Sequence, residues 1–264
     1  MRLNGPMTDI RVETDGAITT IWLDRPDRRN AVDGPMAAAL DGAFEEFEND
    51  PGQRVAVLAG AGGTFCAGAD LTAVGEPARR NSLDPDGAGP MGPTRRVLGK
   101  PLIAAIAGHA VAGGLELALL ADLRVVERDA VLGVFCRRWG VPLIDGGTVQ
   151  LPRIVGLGRA LDLILTGRPV TADEAYAMGL ATVVAEPGRG VEQARWLAER
   201  IADFPYECVL ADRASVYAGL DLPLAEALRA EGATGVPIVF REGAAGAARF
   251  VSGEGRHGSF GADQ

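Results

Sequence analysis

The stretch PLIAAIAGHAVAGGLELALLADLRVVE, residues 101–127, decides the fold. Its first part, residues 101–121, is apolar enough to suggest a membrane span, but Glu116 and three glycines interrupt it. A carboxylate at mid-span costs roughly 2.5 to 3.5 kcal/mol on insertion scales, so a span is the poorer explanation. We predict instead a buried strand over 102–107, a glycine-rich bend, a buried helix from about Gly113 and a second strand over 122–127.

Strands and helices alternate on both sides of this stretch. Asp15-Gly16 predicts a hairpin, Asp33 predicts a helix N-cap, and residues 54–60 predict a short buried strand. Residues 75–93 are rich in Gly, Pro and Asp, which predicts a mobile surface loop. Downstream, the pattern predicts helices over 156–167, 171–180 and about 190–250, with a strand over 181–186. The fold class is therefore α/β with a mostly helical C-terminal part, and the last dozen residues are expected to fray.

Composition excludes several classes of protein. The 264 residues are 47% hydrophobic, which argues against disorder, and the net charge of -9 argues against nucleic acid as a partner. Three cysteines and two histidines give neither a disulfide framework nor a zinc site. The N-terminus has no apolar signal-peptide core, so we expect a cytoplasmic protein with no membrane partner.

The 36 glycines suggest nucleotide-binding loops, but no segment of the sequence matches the motif of such a loop. The segment from Gly60 to Phe65 departs from G-x-G-x-x-G at its last position, and Lys100 is followed by proline, which excludes a P-loop. The chain also has no G-x-S-x-G motif. Dinucleotide, P-loop and serine-hydrolase functions are therefore disfavoured.

Two glycine-bearing turns remain, FCAGADL (65–71) and GHAVAGGLE (108–116), each leading from a buried strand toward a helix. Free N–H groups at a helix start attract negative charge. If the turns lie side by side, the amides of Ala69 and Gly113 converge on one oxygen and stabilise an enolate. Glu116 lies one helical turn after Gly113 and reaches the same space. The plainer alternative is that the glycines only pack helix on strand and that Glu116 pairs with a buried arginine.

These two motifs, and segments over nearly the whole chain, resemble the crotonase (enoyl-CoA hydratase/isomerase) superfamily. The further matching segments are LDRPDRRNAV (23–32), DGGTVQLPRIVG (145–156) and LTGRPVTADEAYAMGLATVV (165–184). The resemblance implies a crotonase-like spiral of ββα repeats over residues 1–195 and a C-terminal helical trimerisation region over 196–264. It also implies an acyl-CoA thioester as partner, self-association as a homotrimer or dimer of trimers, and no cofactor beyond the coenzyme A of the substrate.

The resemblance assigns roles residue by residue. Ala69 and Gly113 match the oxyanion-hole amides, and Glu116 matches the glutamate that activates water in family hydratases. Asp70 and Leu71 would line the acyl-CoA channel, and Asn30 and Ala31 would lie near the coenzyme A end. The full set predicted to bind substrate is Asn30, Ala31, Ala67, Gly68, Asp70, Leu71, His109, Gly114, Cys136 and Trp139.

One departure concerns the second glutamate of the family hydratases, whose position falls on Cys136. No glutamate occurs between Glu127 and Glu174, which puts ordinary hydratase activity in doubt. Asp145 is a substitute, because some relatives carry a catalytic aspartate there. Dienoyl-CoA isomerases use it as a proton shuttle, and 4-chlorobenzoyl-CoA dehalogenases use it as a nucleophile preceded by a tryptophan, here Trp139. The alternative for Asp145 is a helix N-cap.

Two classes of function therefore stay open. The first is an acyl-CoA enzyme of the hydratase/isomerase type, a lyase or an isomerase, with Glu116 as its acid/base. In this class Asp145 is a second carboxylate, or it serves a dienoyl-CoA isomerase- or dehalogenase-type activity. The second is a non-catalytic acyl-CoA binding protein. A ClpP-like peptidase is disfavoured because the sequence offers no Ser-His pair.

Overall fold

The structure is a computed structural model that describes residues 9–255. In chain order, the strands are β1 (Ile10–Asp15), β2 (Ile18–Leu23), β3 (Val55–Gly60), β4 (Leu102–Ile106), β5 (His109–Val111), β6 (Leu123–Glu127), β7 (Val131–Gly133), β8 (Val170–Thr171) and β9 (Val183–Ala185). The α-helices are α1 (Gly34–Asn49), α2 (Gly113–Leu120), α3 (Gly147–Val155), α4 (Leu157–Thr166), α5 (Ala172–Ala177), α6 (Gly190–Asp203), α7 (Tyr206–Gly219), α8 (Leu224–Ile238) and α9 (Ala244–Ser252). The predicted α/β class with a helical C-terminal part is confirmed. Most of the tail predicted to fray, residues 256–264, lies outside the described part.

A six-stranded sheet in the order β1-β2-β3-β4-β6-β9 carries the core. Strands β1 and β2 pair antiparallel as the predicted hairpin, with Gly16 in the left-handed region at φ 56°. Every further pairing in this sheet is parallel. Strands β3 and β4 are almost entirely buried, which accounts for their unbroken apolar sequence.

The decisive stretch folds as predicted in β4, α2 and β6, but the segment predicted as a glycine-rich bend also contains a short strand, β5. Helix α2 is apolar on every side apart from Glu116, and nearly all its residues are buried. Strand β5 leaves the main sheet and pairs with β7, which pairs with β8, in a small second sheet. The bend between β4 and β5 therefore brings the start of α2 to the junction of the two sheets.

Helix α1 begins where the sequence predicts. The Asp33 carboxylate accepts the Met36 N–H at the N-cap, as expected of this residue type. The helix buries one apolar face in the core, formed by Met36, Ala37, Leu40, Ala43, Phe44 and Phe47.

The segment predicted as a mobile surface loop, residues 75–93, is only partly a surface feature. Its middle is exposed, but Asn81 and the residues from Pro90 to Pro93 are buried. The Asn81 side-chain amide donates to the carbonyls of Val32 and Pro90 at 3.1 and 2.7 Å. The prediction is wrong for the end of the segment, because hydrogen bonds to distant residues hold it although its composition is that of a loop.

The chain divides into two compact units, Met1–Glu199 and Arg200–Gln264. The trimerisation role predicted for residues 196–264 stays a prediction. Helices α7, α8 and α9 have no buried residue. No helix within residues 9–255 is long and apolar enough to cross a lipid bilayer.

Candidate active site

The two glycine-bearing turns lie side by side. The Cys66 N–H donates to the His109 carbonyl at 2.8 Å, and the Val111 N–H donates to the Cys66 carbonyl at 3.1 Å. Gly68, at φ 97°, allows the close approach. A Cβ there would lie 3.0 Å from the Ala112 Cβ and 3.1 Å from the Gly113 nitrogen. A residue with a side chain at position 68 would therefore press the two turns apart.

The amides of Ala69 and Gly113 are both free donors beside this contact. Val32 donates to the Gly68 carbonyl and accepts the Asp70 N–H, each at 2.9 Å. In parallel pairing of this kind the intervening residue, Ala69, turns its own N–H away from the partner strand. Gly113 is the first residue of α2, where an N–H has no partner inside the helix. Within residues 9–255 neither N–H has an acceptor.

The backbone immediately before Gly113 is strained. Ala112 has φ 54° and ψ −127°, a conformation that residues with a side chain rarely adopt. Its N–H donates to the Gly133 carbonyl at 2.9 Å, and its carbonyl accepts the N–H groups of Leu115 and Glu116. Strain of this kind costs about 1–3 kcal/mol and persists where surrounding contacts fix it. Here it orients the amide that begins α2.

Glu116 is 4% exposed and has one engaged and one accessible oxygen. Its Oε1 accepts the N–H groups of Asp145 and Gly147 at 2.9 and 2.8 Å. Oε2 has no hydrogen-bond partner among the described residues, where every fully enclosed side-chain oxygen has one. Oε2 is therefore not fully enclosed. The alternative of a buried arginine partner is wrong, because backbone amides hold this carboxylate.

The pKa of Glu116 is raised from 4.5 to about 7. Burial is the main cause, and the charge of Asp145 adds to it, while the Gly147 and Asp145 N–H groups oppose it. A carboxyl group with a pKa near neutrality exchanges protons readily in both directions, which suits a general acid/base.

This raised pKa predicts how Glu116→Gln changes stability. Ionisation of Glu116 is less favourable in the folded chain than in the unfolded chain, so its contribution to stability falls as the pH rises from about 4.5 to about 7. Glutamine stays neutral and still accepts the two N–H groups. We expect the variant to exceed wild type in free energy of unfolding by on the order of 3 kcal/mol at pH 8.5. The two should be nearly equal at pH 4. Urea unfolding at both pH values measures this, and parallel pH dependences would contradict it.

Asp145 does not cap a helix, so that alternative is wrong. The N-cap of α3 is Gly146, which has no side chain of its own, and Glu116 accepts the Gly147 N–H instead. The Asp145 Oδ1 instead accepts the Met91 N–H at 2.9 Å and the Thr94 hydroxyl at 2.5 Å. Burial raises the pKa of this carboxyl group above its usual value, although these hydrogen bonds and Arg95 oppose the rise. Asp145 thus anchors the end of the 75–93 segment next to Glu116.

Cys136, the position at which the resemblance would place a second glutamate, lies close enough to Glu116 to feel its charge. It is buried in a short 3-10 helix, Phe135–Trp139. Burial and then the charge of Glu116 raise the pKa of its thiol above the usual 9.0. The side chain is therefore a neutral thiol near pH 7 and supplies no second carboxylate.

Asn30 and Asp70 have structural partners of their own. The Asn30 amide donates to the carbonyls of Ala61 and Thr64 and accepts the Arg25 N–H. The Asp70 carboxylate is buried and pairs with Arg25 and Arg79 at 3.0 and 2.9 Å. Both side chains therefore fix the backbone around the first turn and are not free to bind a ligand.

The remaining predicted residues are divided between the two turns and the surface. Ala67 and Gly68 belong to the first turn, and Ala31 lies in the segment beside it, since the next residue, Val32, pairs with Ala69. Gly114 packs against the first turn, because a Cβ at position 114 would lie 2.2 Å from the Cys66 carbonyl. The side chains of Leu71, His109 and Trp139 are exposed, Trp139 to 71%. The structure does not bring Trp139 into the buried site, so it gives no support to the dehalogenase comparison.

Sequence reasoning missed Met91, Thr94 and Arg79. Each comes from, or just after, the polar segment 75–93, where Met91 is the lone methionine. Met91 is one of two large apolar residues in the segment, with Leu83, and it alone stands between glycines and prolines, a signal for the buried end of the segment. Within residues 9–255, no group of three or more His, Cys, Asp or Glu is placed to hold a metal ion.

Comparisons with known proteins identify the family of this chain. The family model described as Enoyl-CoA hydratase/isomerase matches residues 13–238. The chain is 38% identical over 222 residues to a probable enoyl-CoA hydratase of Rhizobium meliloti (strain 1021), covering 83% of this chain and 85% of the relative. It is 42% identical over 198 residues to a putative enoyl-CoA hydratase of Thermus thermophilus, covering 71% and 75% of the two chains.

Solved structures give the same result for the fold. The crystal structure of an enoyl-CoA hydratase from Mycobacterium tuberculosis H37Rv matches with a TM-score of 0.87 at 34% identity, covering 93% of this chain and 96% of that one. This confirms the predicted crotonase-like fold. The chain belongs to the enoyl-CoA hydratase/isomerase family, within the crotonase superfamily.

Proposed function

We propose that this chain hydrates an enoyl-CoA thioester, with the amides of Ala69 and Gly113 as the oxyanion hole and Glu116 as the only acid/base. The observation that carries the proposal is the placement of Glu116 on the same helix as Gly113, with Oε1 held by two N–H groups and Oε2 not fully enclosed. A fixed carboxylate with one free oxygen beside two free amides is the arrangement that enolate chemistry needs.

The reaction would proceed through an enolate. The thioester oxygen accepts the N–H groups of Ala69 and Gly113, while Glu116 takes a proton from water through Oε2. The hydroxide adds to the β-carbon, and the electron pair of the double bond moves onto the thioester oxygen. Glu116 then returns its proton to the α-carbon, which restores the carbonyl and the carboxylate. A single carboxylate therefore completes the addition, and the step uses no cofactor apart from the coenzyme A of the substrate.

A second candidate is a double-bond isomerase that uses both Glu116 and Asp145. The observation that favours it is the closeness of the two carboxyl groups, since the charge of Asp145 raises the pKa of Glu116, together with an Asp145 Oδ2 that accepts no hydrogen bond from a described residue. In this reaction one carboxylate removes a proton from one carbon of the acyl chain, and a carboxyl group returns a proton to another carbon. No water is added.

An assay of wild type and Asp145→Asn on three substrates separates these candidates. The substrates are crotonyl-CoA, a 3-enoyl-CoA and a 2,5-dienoyl-CoA. Asparagine keeps the oxygen that accepts from Met91 and Thr94, so only the proton-carrying ability is lost. We expect wild type to hydrate crotonyl-CoA and the variant to retain this activity. Loss of isomerisation in the variant alone would support the second candidate, while binding without turnover of any substrate would identify a non-catalytic acyl-CoA binder.

The predicted trimer or dimer of trimers stays a proposal, and the C-terminal unit supports it. Helices α7, α8 and α9 have no buried residue but carry large exposed apolar side chains, among them Leu224, Leu228 and Phe250. Apolar side chains at this density are usually covered by a partner, and a second copy of the chain is the partner that the family resemblance implies. Location in the cytoplasm likewise remains a proposal.

A further inference from the structure

Met91 occupies the space directly beside Gly113. It is 0% exposed, although it ends a segment with the composition of a surface loop. A Cβ at position 113 would lie 2.8 Å from the Met91 Sδ, 3.0 Å from its Cγ and 3.2 Å from its Cε. The whole outer part of the methionine side chain thus lies over the Gly113 backbone, next to the free N–H that would bind the thioester oxygen.

The backbone around Met91 is fixed on three sides. The Pro90 carbonyl accepts the Asn81 amide at 2.7 Å, and the Met91 N–H donates to Asp145 at 2.9 Å. Gly92, at φ 94°, packs so closely on α1 that a Cβ there would lie 2.6 Å from the Ala37 carbonyl. The side chain cannot withdraw with its backbone unless these buried hydrogen bonds break, and each unmade bond leaves a polar group unsatisfied.

We infer that Met91 is a wall of the acyl pocket that restricts the substrate to thioesters of short acyl chains. This inference rests on the proposed function, because it takes the Gly113 amide as the place of the thioester carbonyl. The acyl group begins at that carbonyl, so a fixed side chain beside Gly113 limits the room for its continuation. Asp145 accepts the Met91 N–H and so holds Met91 in place, which makes Asp145 a positioning residue.

The inference predicts how affinity depends on acyl length. In an open apolar pocket each buried methylene tightens Kd about fourfold, which corresponds to about 0.8 kcal/mol. A wall ends that gain once the chain reaches it. Met91→Ala removes Cγ, Sδ and Cε, so the gain should continue for about two or three further carbons before it stops.

Calorimetric titration with saturated acyl-CoA thioesters tests this without requiring turnover. The series runs from acetyl- through butyryl-, hexanoyl- and octanoyl- to dodecanoyl-CoA. For wild type, we expect Kd to improve up to butyryl- or hexanoyl-CoA and no further. For Met91→Ala, we expect octanoyl-CoA to bind at least about tenfold more tightly than it binds wild type. Met91→Leu, which keeps most of the side-chain volume, should show the wild-type series.

Met178→Ala is the matched control, because it removes a buried core methionine that lies in another part of the fold, after α5. It should lose stability yet keep the wild-type length dependence. A wild-type affinity that rises steadily to dodecanoyl-CoA would overturn the inference, and this measurement needs no variant. An unchanged length limit in folded Met91→Ala would also overturn it. Failure of wild type to bind any thioester would overturn the proposed function, and this inference with it.

Discussion

Glu116→Gln is expected to lower kcat for hydration of crotonyl-CoA by about 10²- to 10⁴-fold, the usual contribution of a positioned general acid/base. Glutamine has the shape of glutamate and still accepts the N–H groups of Asp145 and Gly147 at the Oε1 position. The variant therefore keeps the geometry of the site and loses only proton transfer. KM should change little, because the substitution leaves untouched the amides of Ala69 and Gly113 that we propose as the oxyanion hole. The loss of enoyl-thioester absorbance measures both constants.

The pH dependence of the wild-type reaction belongs to the same prediction. Glu116 must be ionised to take a proton from water, and its pKa is about 7. The value of kcat/KM should therefore fall about tenfold for each pH unit below that pKa. A plateau that continues down to pH 5 would mean that another group, with an ordinary carboxyl pKa, is the base.

Glu127→Gln is a matched control for the Glu116 variant. Glu127 is also a buried carboxylate, and its Oε1 accepts the N–H of the first residue of a helix, Gly190, at 2.9 Å. A Cβ at Gly190 would meet Glu127 at 2.9 Å, the same distance that separates a Cβ at Gly147 from Glu116. Glu127 therefore has a similar structural environment to Glu116 but lies outside the candidate site. Equal losses of kcat in the two variants would show that the effect is structural.

The site could be predicted from sequence where its geometry depends on local backbone. Gly68 and Gly114 are placed where a Cβ would collide with the neighbouring turn, so glycine is required there and leaves a readable pattern. Glu116 follows Gly113 by three residues on one helix, and that spacing fixes its position without knowledge of the fold.

Contacts between distant segments could not be predicted in this way. Asp145 meets Met91 and Thr94, which are more than fifty residues away in the sequence, and nothing in D-G-G-T distinguishes this from a helix cap. The N-terminus of α3 needs no side chain of its own because Glu116 already accepts its Gly147 N–H. The local sequence shows that a carboxylate is available to cap the helix, but the tertiary structure determines which carboxylate accepts the N–H at the helix start.

Gly68→Ala is the second change with a large expected effect, because it disturbs the oxyanion hole without touching a catalytic side chain. Two costs add. Alanine at φ 97° is strained, and its Cβ would lie 3.0 Å from the Ala112 Cβ and 3.1 Å from the Gly113 nitrogen. Separation of the two turns would prevent the Ala69 and Gly113 amides from reaching one oxygen together. Since loss of one such donor lowers kcat by about 10²- to 10³-fold, we expect a decrease of that size.

Gly188→Ala separates the effect of strain from the effect on the oxyanion hole. Gly188 also has a positive φ, 78°, but a Cβ there would have no atom within 4 Å. Both variants should therefore lose stability through backbone strain, which thermal unfolding measures, while only Gly68→Ala loses kcat. If folded Gly68→Ala retained full kcat, the amides of Ala69 and Gly113 would not form the oxyanion hole. A comparable loss in Gly188→Ala would instead attribute the decrease to general destabilisation, because that glycine contacts neither turn.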